Sequence, residues 1–140
     1  MEATWFVVAD RSQAQLYEIT GTKLKPVLKE VEVIEHPEGR RTGDASTSGS
    51  EHELHVDDSA ASDEEDRRFA RQVVERLRAA QQRREFAKLL IAAPAQMVGN
   101  LRKYSGRTLS RSVQREIIGD YTGDSRHALQ ERLRRRDWLE

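Results

Sequence analysis

The sequence contains no cysteine among its 140 residues. This absence excludes disulfide bonds, a thiolate metal site and a cysteine nucleophile. No apolar run approaches the ~20 residues of a membrane-spanning helix. The first residues also lack the basic and then apolar pattern of a secretory leader. We therefore expect a soluble, cytoplasmic protein with no membrane insertion.

Glycine and aromatic residues are also scarce, with eight glycines and 6% Phe, Trp and Tyr. In the long polar segment Gly39, Gly43 and Gly49 are never adjacent. Their spacing fits neither a P-loop nor a dinucleotide-binding fingerprint. We count only Tyr104 and Tyr121 as aromatic residues available beside the candidate basic site, which leaves little aromatic surface for stacking bases. We predict no cofactor.

Charged residues are abundant and unevenly distributed. Residues 1–66 contain 6 Lys and Arg and 16 Asp and Glu, a net charge of −10. Residues 67–140 contain 18 Lys and Arg and 8 Asp and Glu, a net charge of +10. Two interpretations stay open. Either the halves neutralise each other within the fold, or the second half forms a basic surface for phosphates beside an acidic loop.

Apolar periodicity predicts one α/β domain over residues 1–140. The predicted strands are Trp5–Ala9, Ala14–Ile19, Leu24–Ile34, Leu89–Ala93 and Val113–Ile118. Helices are predicted from Ser62 to about Arg84, from Gln96 to Tyr104, and from Asp124 or Ser125 to about Trp138. The order βββ-α-β-α-β-α predicts an antiparallel meander followed by right-handed crossovers, and hence a mixed five-stranded sheet.

The segment from His36 to Ala61 is predicted to be a long loop. It is rich in Gly, Ser, Thr and acidic residues, a composition typical of disordered or functional loops. Ser62 and Glu65 have the spacing of a capping box, which places the start of the next helix at Ser62.

Carboxylates that follow strands offer a candidate catalytic site. Asp10, Asp120 and Asp124 occupy such positions, as the metal ligands of some nucleases do. A turn explains Asp10 and a helix cap explains Asp124 without any metal. Ala92–Pro94 is a loop of small residues at the carboxyl end of a strand, where α/β proteins usually bind ligands.

A second acidic cluster lies within the predicted loop. His52 and His55 precede Asp57 and Asp58, but the histidine spacing differs from the i, i+4 pair of a helical zinc site. A solvated acidic stretch is the simpler interpretation, so we predict no metal site. We also find no Ser-His-Asp arrangement, because His127 falls on a predicted surface helix.

Basic residues supply the preferred binding site. Arginine forks match phosphate geometry, and phosphate contacts give affinity without sequence specificity. The candidate nucleic-acid-binding residues are Arg40, Arg41, Arg67, Arg68, Arg71, Arg102, Lys103, Arg107 and Arg111.

Several segments together resemble a known family: WFVVADRSQAQLYEI, the glycine-containing loop, LLIAAPAQMVGNLR and VQREIIGDYTG. Over nearly the whole chain the sequence resembles the bacterial host attachment proteins, described as required for attachment to host cells. The layout is also similar to the middle domain of archaeal and eukaryotic class 1 release factors and Pelota, where a loop precedes a long basic helix. The resemblance implies a ribonuclease H-like fold and an ancestry near translation.

The release-factor loop carries Gly-Gly-Gln, and residues 36–61 of this chain contain no glutamine. Peptidyl-tRNA hydrolysis is therefore unsupported. We predict a non-enzymatic module that contacts ribosomal or transfer RNA through its basic helix. One alternative is a protein-binding regulator of attachment or surface behaviour that uses the acidic loop. Another is an atypical hydrolase or nuclease. The sequence leaves the oligomeric state open.

Overall fold

The computed structural model describes residues 3–36, 51–136 and 138–139, with the backbone alone for residues 51–61. The strands described are β1 (Thr4–Ala9), β2 (Gln13–Gly21), β3 (Pro26–Glu35), β4 (Lys88–Ala93) and β5 (Val113–Ile118). The helices described are α1 (Glu51–Gln82), α2 (Ala95–Ser112) and α3 (Arg126–Arg135). This order confirms the predicted βββ-α-β-α-β-α arrangement.

The strands form one mixed sheet in the order β3-β2-β1-β4-β5. β1 is antiparallel to β2 and parallel to β4, and β4 is parallel to β5. The two most apolar strands, β1 and β4, are therefore central and covered on both faces. The predicted mixed five-stranded sheet is confirmed, and its strand order is compatible with a ribonuclease H-like fold.

Side-chain alternation along β1 divides the core into two layers. Trp5, Val7 and Ala9 pack with the apolar residues of α1 and α2 on one face of the sheet. Phe6 and Val8 pack on the opposite face with α3. The apolar stripe of α1 is buried on the first face: Phe69, Val73, Leu77 and Ala80.

Two helix boundaries predicted from the sequence are wrong. α1 begins at Glu51, so residues 51–61 are helical rather than part of a loop, and Ser62 lies inside the helix rather than capping it. Glutamate, leucine and alanine are strong helix formers, and acids near a helix N-terminus are favoured by its dipole. The rest of the predicted loop, residues 37–50, lies outside the described residues.

The second correction concerns α2, which continues past Tyr104 to Ser112. Gly106 has φ 77° and ψ 175°, so the helical path is interrupted there and then resumes. The second part of the helix brings Leu109 into the core. Burial of this leucine favours helix after the glycine, where punctuation alone predicts a turn.

Candidate functional site

The predicted basic site divides between α1 and α2. Arg67, Arg68 and Arg71 lie on α1, whereas Arg102, Lys103, Arg107 and Arg111 lie on α2. Arg40 and Arg41 lie outside the described residues.

Acidic residues of α1 itself hold its three arginines. Arg67 Nη2 lies 3.0 Å from Glu64 Oε1, and Arg68 Nη1 lies 2.9 Å from Glu65 Oε1. Arg71 Nη2 also reaches Glu64, at 3.4 Å. The hydrogen bond from Arg67 is the main cause that lowers the pKa of Glu64. Three arginines therefore share two carboxylates, and with Asp63 and Asp66 beside them this stretch of α1 has no positive net charge.

Tyr104 joins the two helices by holding one cation from each. The Arg71 guanidinium carbon lies 5.1 Å from the centre of the Tyr104 ring, and Lys103 Nζ lies 5.5 Å from it. Arg71 Nη1 also lies 3.4 Å from the tyrosine hydroxyl. Cation–π contacts of this kind hold long side chains in a defined position.

The α1–α2 contact continues at the interruption of α2. Arg78 Nη2 donates to the carbonyl oxygens of Tyr104 and Ser105 at 2.8 and 3.0 Å. These carbonyls end the first part of α2, so Arg78 satisfies groups that a helix end leaves without partners. Arg107 lies exposed beyond Gly106 and lines the same groove as Arg78.

Two predicted residues lie apart from this cluster. Arg102 pairs with Glu116 of β5, and this pairing raises the pKa of Arg102. Arg111 is exposed in the last turn of α2. We define the α1–α2 basic face by the five residues that remain: Arg67, Arg68, Arg71, Lys103 and Arg107.

A pocket of about 250 Å³ lies where the parallel strands end. Asp10 follows β1, Pro94 follows β4 and Asp120 lies just after β5. These residues come together because parallel strands present their carboxyl ends at one edge of the sheet. We call this the strand-end pocket; it is lined by Asp10, Arg11, Asp66, Pro94, Gln96, Met97, Asn100 and Asp120.

Asp10 is held as a turn residue, as predicted. Its Oδ1 accepts hydrogen bonds from the backbone N–H of Ser12 and Gln13 at 2.8 and 2.9 Å. Its Oδ2 accepts from Thr122 Oγ1 at 2.6 Å. Burial raises the pKa of Asp10, but these hydrogen bonds outweigh burial and the net shift is downward. Thr122 Oγ1 also lies 3.1 Å from Asp120 Oδ1, which links the two carboxylates.

Asp66 and Asn100 face the pocket from the two helices. Asp66 is only 8% exposed, and burial raises its pKa against the opposing attraction of Arg11. Arg11 Nε lies 3.3 Å from Asp66 Oδ1, yet this oxygen accepts no hydrogen bond from the described residues. Asn100 Nδ2 is buried and likewise has no hydrogen-bond partner among them.

The carboxylates do not form a metal site in the described part of the chain. No three His, Asp or Glu residues there stand close enough together to hold an ion. Asp124 instead pairs with Arg132 at 2.6 Å. Ser125, the other predicted cap, accepts the N–H of Ala128 at 3.0 Å and begins α3. The side chains of His52, His55, Asp57 and Asp58 lie outside the description.

Comparison with known families identifies the chain's relatives. The model of a family described as "protein required for attachment to host cells" matches residues 5–133. The chain belongs to this host attachment family. The match extends from β1 into α3, so it covers nearly all of the sheet and of the helices that pack on it. No curated protein matches the chain. None of the described helices is long and apolar enough to cross a membrane.

Sequence reasoning located the edge of the sheet where the strand-end pocket lies, but it named only Asp10, Pro94 and Asp120 among the lining residues. The expected ligand-binding edge at Ala92–Pro94 and the turn at Asp10 both border it. Asp66 and Asn100 were missed, because each lies on a helix whose tertiary packing decides where its side chain points. One signal was available: Asn100 follows Met97 by three residues and therefore shares its buried helical face.

Proposed function

We propose that this host attachment family protein is a non-enzymatic, translation-linked module that contacts ribosomal or transfer RNA through the α1–α2 basic face. The observation that carries the proposal is the cluster of Arg71, Tyr104 and Lys103, where one ring holds cations from two helices. Cations fixed in this way lose little further freedom when they bind phosphates. This function implies a cytoplasmic location.

The basic residues of this face differ in their expected contribution to RNA affinity, because only those on α1 are in ion pairs with glutamates of the same helix. The three arginines of α1 (Arg67, Arg68 and Arg71) must give up their glutamate partners to bind phosphates. Loss of these ion pairs offsets part of the free energy gained from phosphate binding. Lys103 and Arg107 make no ion pair with any described residue, so a phosphate adds attraction without breaking an existing pair. We therefore expect Lys103 and Arg107 to contribute most of the affinity.

The test is co-sedimentation of the protein with ribosomes and their subunits at low and high salt. The variant Lys103→Glu with Arg107→Glu is compared with Arg134→Glu and Arg135→Glu on α3, which changes the net charge equally. We expect the α2 pair to lower binding at least tenfold and to weaken its salt dependence, since each lost phosphate contact reduces the slope of log K against log salt by about 0.7–0.9.

Two outcomes would reject this function. Absence from the ribosomal fractions at low salt would do so, as would an equal loss of binding in the α2 and α3 variants. The second result would mean that overall charge, rather than this face, drives the association.

The description of the family favours one second candidate, a protein-binding regulator of attachment. On this view the acidic residues of the predicted loop, most of which lie in the first turns of α1 (Glu51, Glu53, Asp57 and Asp58), contact a protein partner. A contact through acidic residues is weakened by salt, as phosphate binding is, so salt alone does not separate the two candidates. Affinity capture with the Lys103→Glu, Arg107→Glu variant distinguishes them, because RNA binding requires these two α2 residues and a partner held by the acidic residues does not.

A further inference from the structure

The strand-end pocket has the size and placement of a small-molecule site. Its volume of about 250 Å³ is below the range of roughly 300–1,000 Å³ typical of drug-sized ligands, so it suits a smaller molecule. It opens at the carboxyl ends of parallel strands, where α/β folds usually bind ligands. Met97 and Pro94 add an apolar part to its lining.

One side of the pocket presents a buried carboxylate oxygen whose ion pair with Arg11 does not have hydrogen-bond geometry. Asp66 Oδ1 is buried and receives no hydrogen bond from the described residues. Its nearest cation, Arg11 Nε at 3.3 Å, belongs to a side chain that is 54% exposed. Leaving a buried carboxylate oxygen without a hydrogen bond costs free energy. A ligand that donates a hydrogen bond here would remove that cost.

The α2 side presents donors that lack acceptors. Asn100 Nδ2 is buried and donates to no described residue. Pro94 precedes the first turn of α2 and supplies no side-chain cap, so the first N–H groups of the helix have no intrahelical acceptor. Helix N-termini favour negatively charged groups.

The charged side chains that line the pocket restrict the class of ligand further. Asp10, Asp66 and Asp120 outnumber the single arginine of the pocket, so a free anion is repelled. A molecule with a positive donor and a separate negative acceptor satisfies both sides. We propose that the strand-end pocket binds a small α-amino acid, with its ammonium group against Asp66 and its carboxylate on Asn100 and the first turn of α2.

The composition of the chain provides a direct probe. Asn100 is its only asparagine, so selective ¹⁵N-asparagine labelling gives one side-chain NH₂ signal pair. The probes are the twenty common amino acids, titrated one at a time to about 10 mM, because small ligands of this kind bind in the micromolar to millimolar range. We expect at least one amino acid to shift this signal pair saturably. No shift from any of them overturns the proposal.

Chemical and protein variants then test the assigned contacts. The N-acetyl derivative of the binding amino acid lacks the ammonium group and is expected to bind at least tenfold more weakly. Asp66→Asn is expected to cause a similar loss, while Asp124→Asn, the same change outside the pocket, leaves the affinity unaltered. Asp120→Asn alters an exposed residue of the pocket and provides a second variant that does not depend on core packing.

Equal binding of the acetylated and free amino acid overturns the proposal, as does unchanged binding in both pocket variants. Ribosome co-sedimentation requires none of these residues, so the two proposals fail independently.

Discussion

At the scale of single residues, the two glycines of α2 differ in whether the structure requires glycine: Gly106 is required and Gly99 is not. Gly106 has φ 77° and ψ 175°, a region essentially restricted to glycine, and a Cβ there would lie 2.9 Å from Arg78 Nη2. Gly99 is within the helix, and a Cβ there would meet nothing within 4 Å.

We therefore expect Gly106→Ala to lower the free energy of unfolding by about 1–3 kcal/mol. Gly99→Ala is the matched control and should raise it by about 0.5–1 kcal/mol, because alanine is the better helix former. Urea unfolding monitored by circular dichroism measures both changes. Equal effects of the two substitutions would contradict the conformation assigned to Gly106.

Asp10 stabilises the fold through its charged form. Its folded-state pKa is lowered because hydrogen bonds from Thr122, Ser12 and Gln13 outweigh burial. Stability from such a group is present above its unfolded-state pKa and is lost as the pH falls through the folded-state value. We expect Asp10→Asn to cost about 1–2 kcal/mol at pH 7, and this difference should shrink as the pH falls below the unfolded-state pKa towards the lower folded-state value. Urea unfolding from pH 7 down to about pH 2 tests both parts.

Asp66 has the opposite pH dependence. Its folded-state pKa is raised, chiefly by burial, so the stabilising form is the protonated one. That contribution is present below the unfolded-state pKa and is lost as the pH rises through the folded-state value. Asp66→Asn should therefore be at least as stable as the parent at pH 7, with the difference shrinking towards pH 4. A variant that is markedly less stable at neutral pH would show that the charged form is stabilised.

At the scale of elements, the start of α1 is open to a direct test. A proline inside a helix removes a backbone hydrogen bond and clashes with the preceding turn. Ala60 lies within α1, but it would lie in a loop if the helix began at Ser62. We expect Ala60→Pro to reduce the helical signal in far-ultraviolet circular dichroism. An unchanged spectrum would restore the boundary at Ser62.

The strands were easier to predict than the helix ends for a physical reason. β5 occupies the predicted residues Val113–Ile118, and β4 differs from its prediction by one residue. The continuous apolar run of β4 has few ways to be buried. Helix boundaries depend on competition between caps, glycines and tertiary burial. Gly106 interrupts α2, but the burial of Leu109 favours further helix after it. No local pattern around Ser62 reveals the helical turns that precede it.

At the scale of the whole molecule, the opposite net charges of the two halves do not correspond to two surfaces. Arg76 of α1 pairs with Glu32 of β3 at 2.6 Å, which joins the halves. Glu116 and Glu131 instead neutralise arginines of their own half. The interpretation that the halves neutralise each other is therefore confirmed in part, whereas the basic surface for phosphates stays a prediction. The exposed Lys103 and Arg107 are basic residues that neither kind of pairing accounts for.

The position of β1 in the sheet also has a consequence for how the chain acquires its structure. Residues 4–8 pair with residues 88–92, so the chain must be made well past its midpoint before β1 gains its second neighbour. Contacts between distant segments slow folding, and an apolar strand with an open edge invites pairing with other chains. Until β4 emerges, the meander of β1, β2 and β3 exposes that edge. β1, the central strand of the finished sheet, is thus synthesised before its neighbour β4 and keeps one unpaired edge until β4 is made.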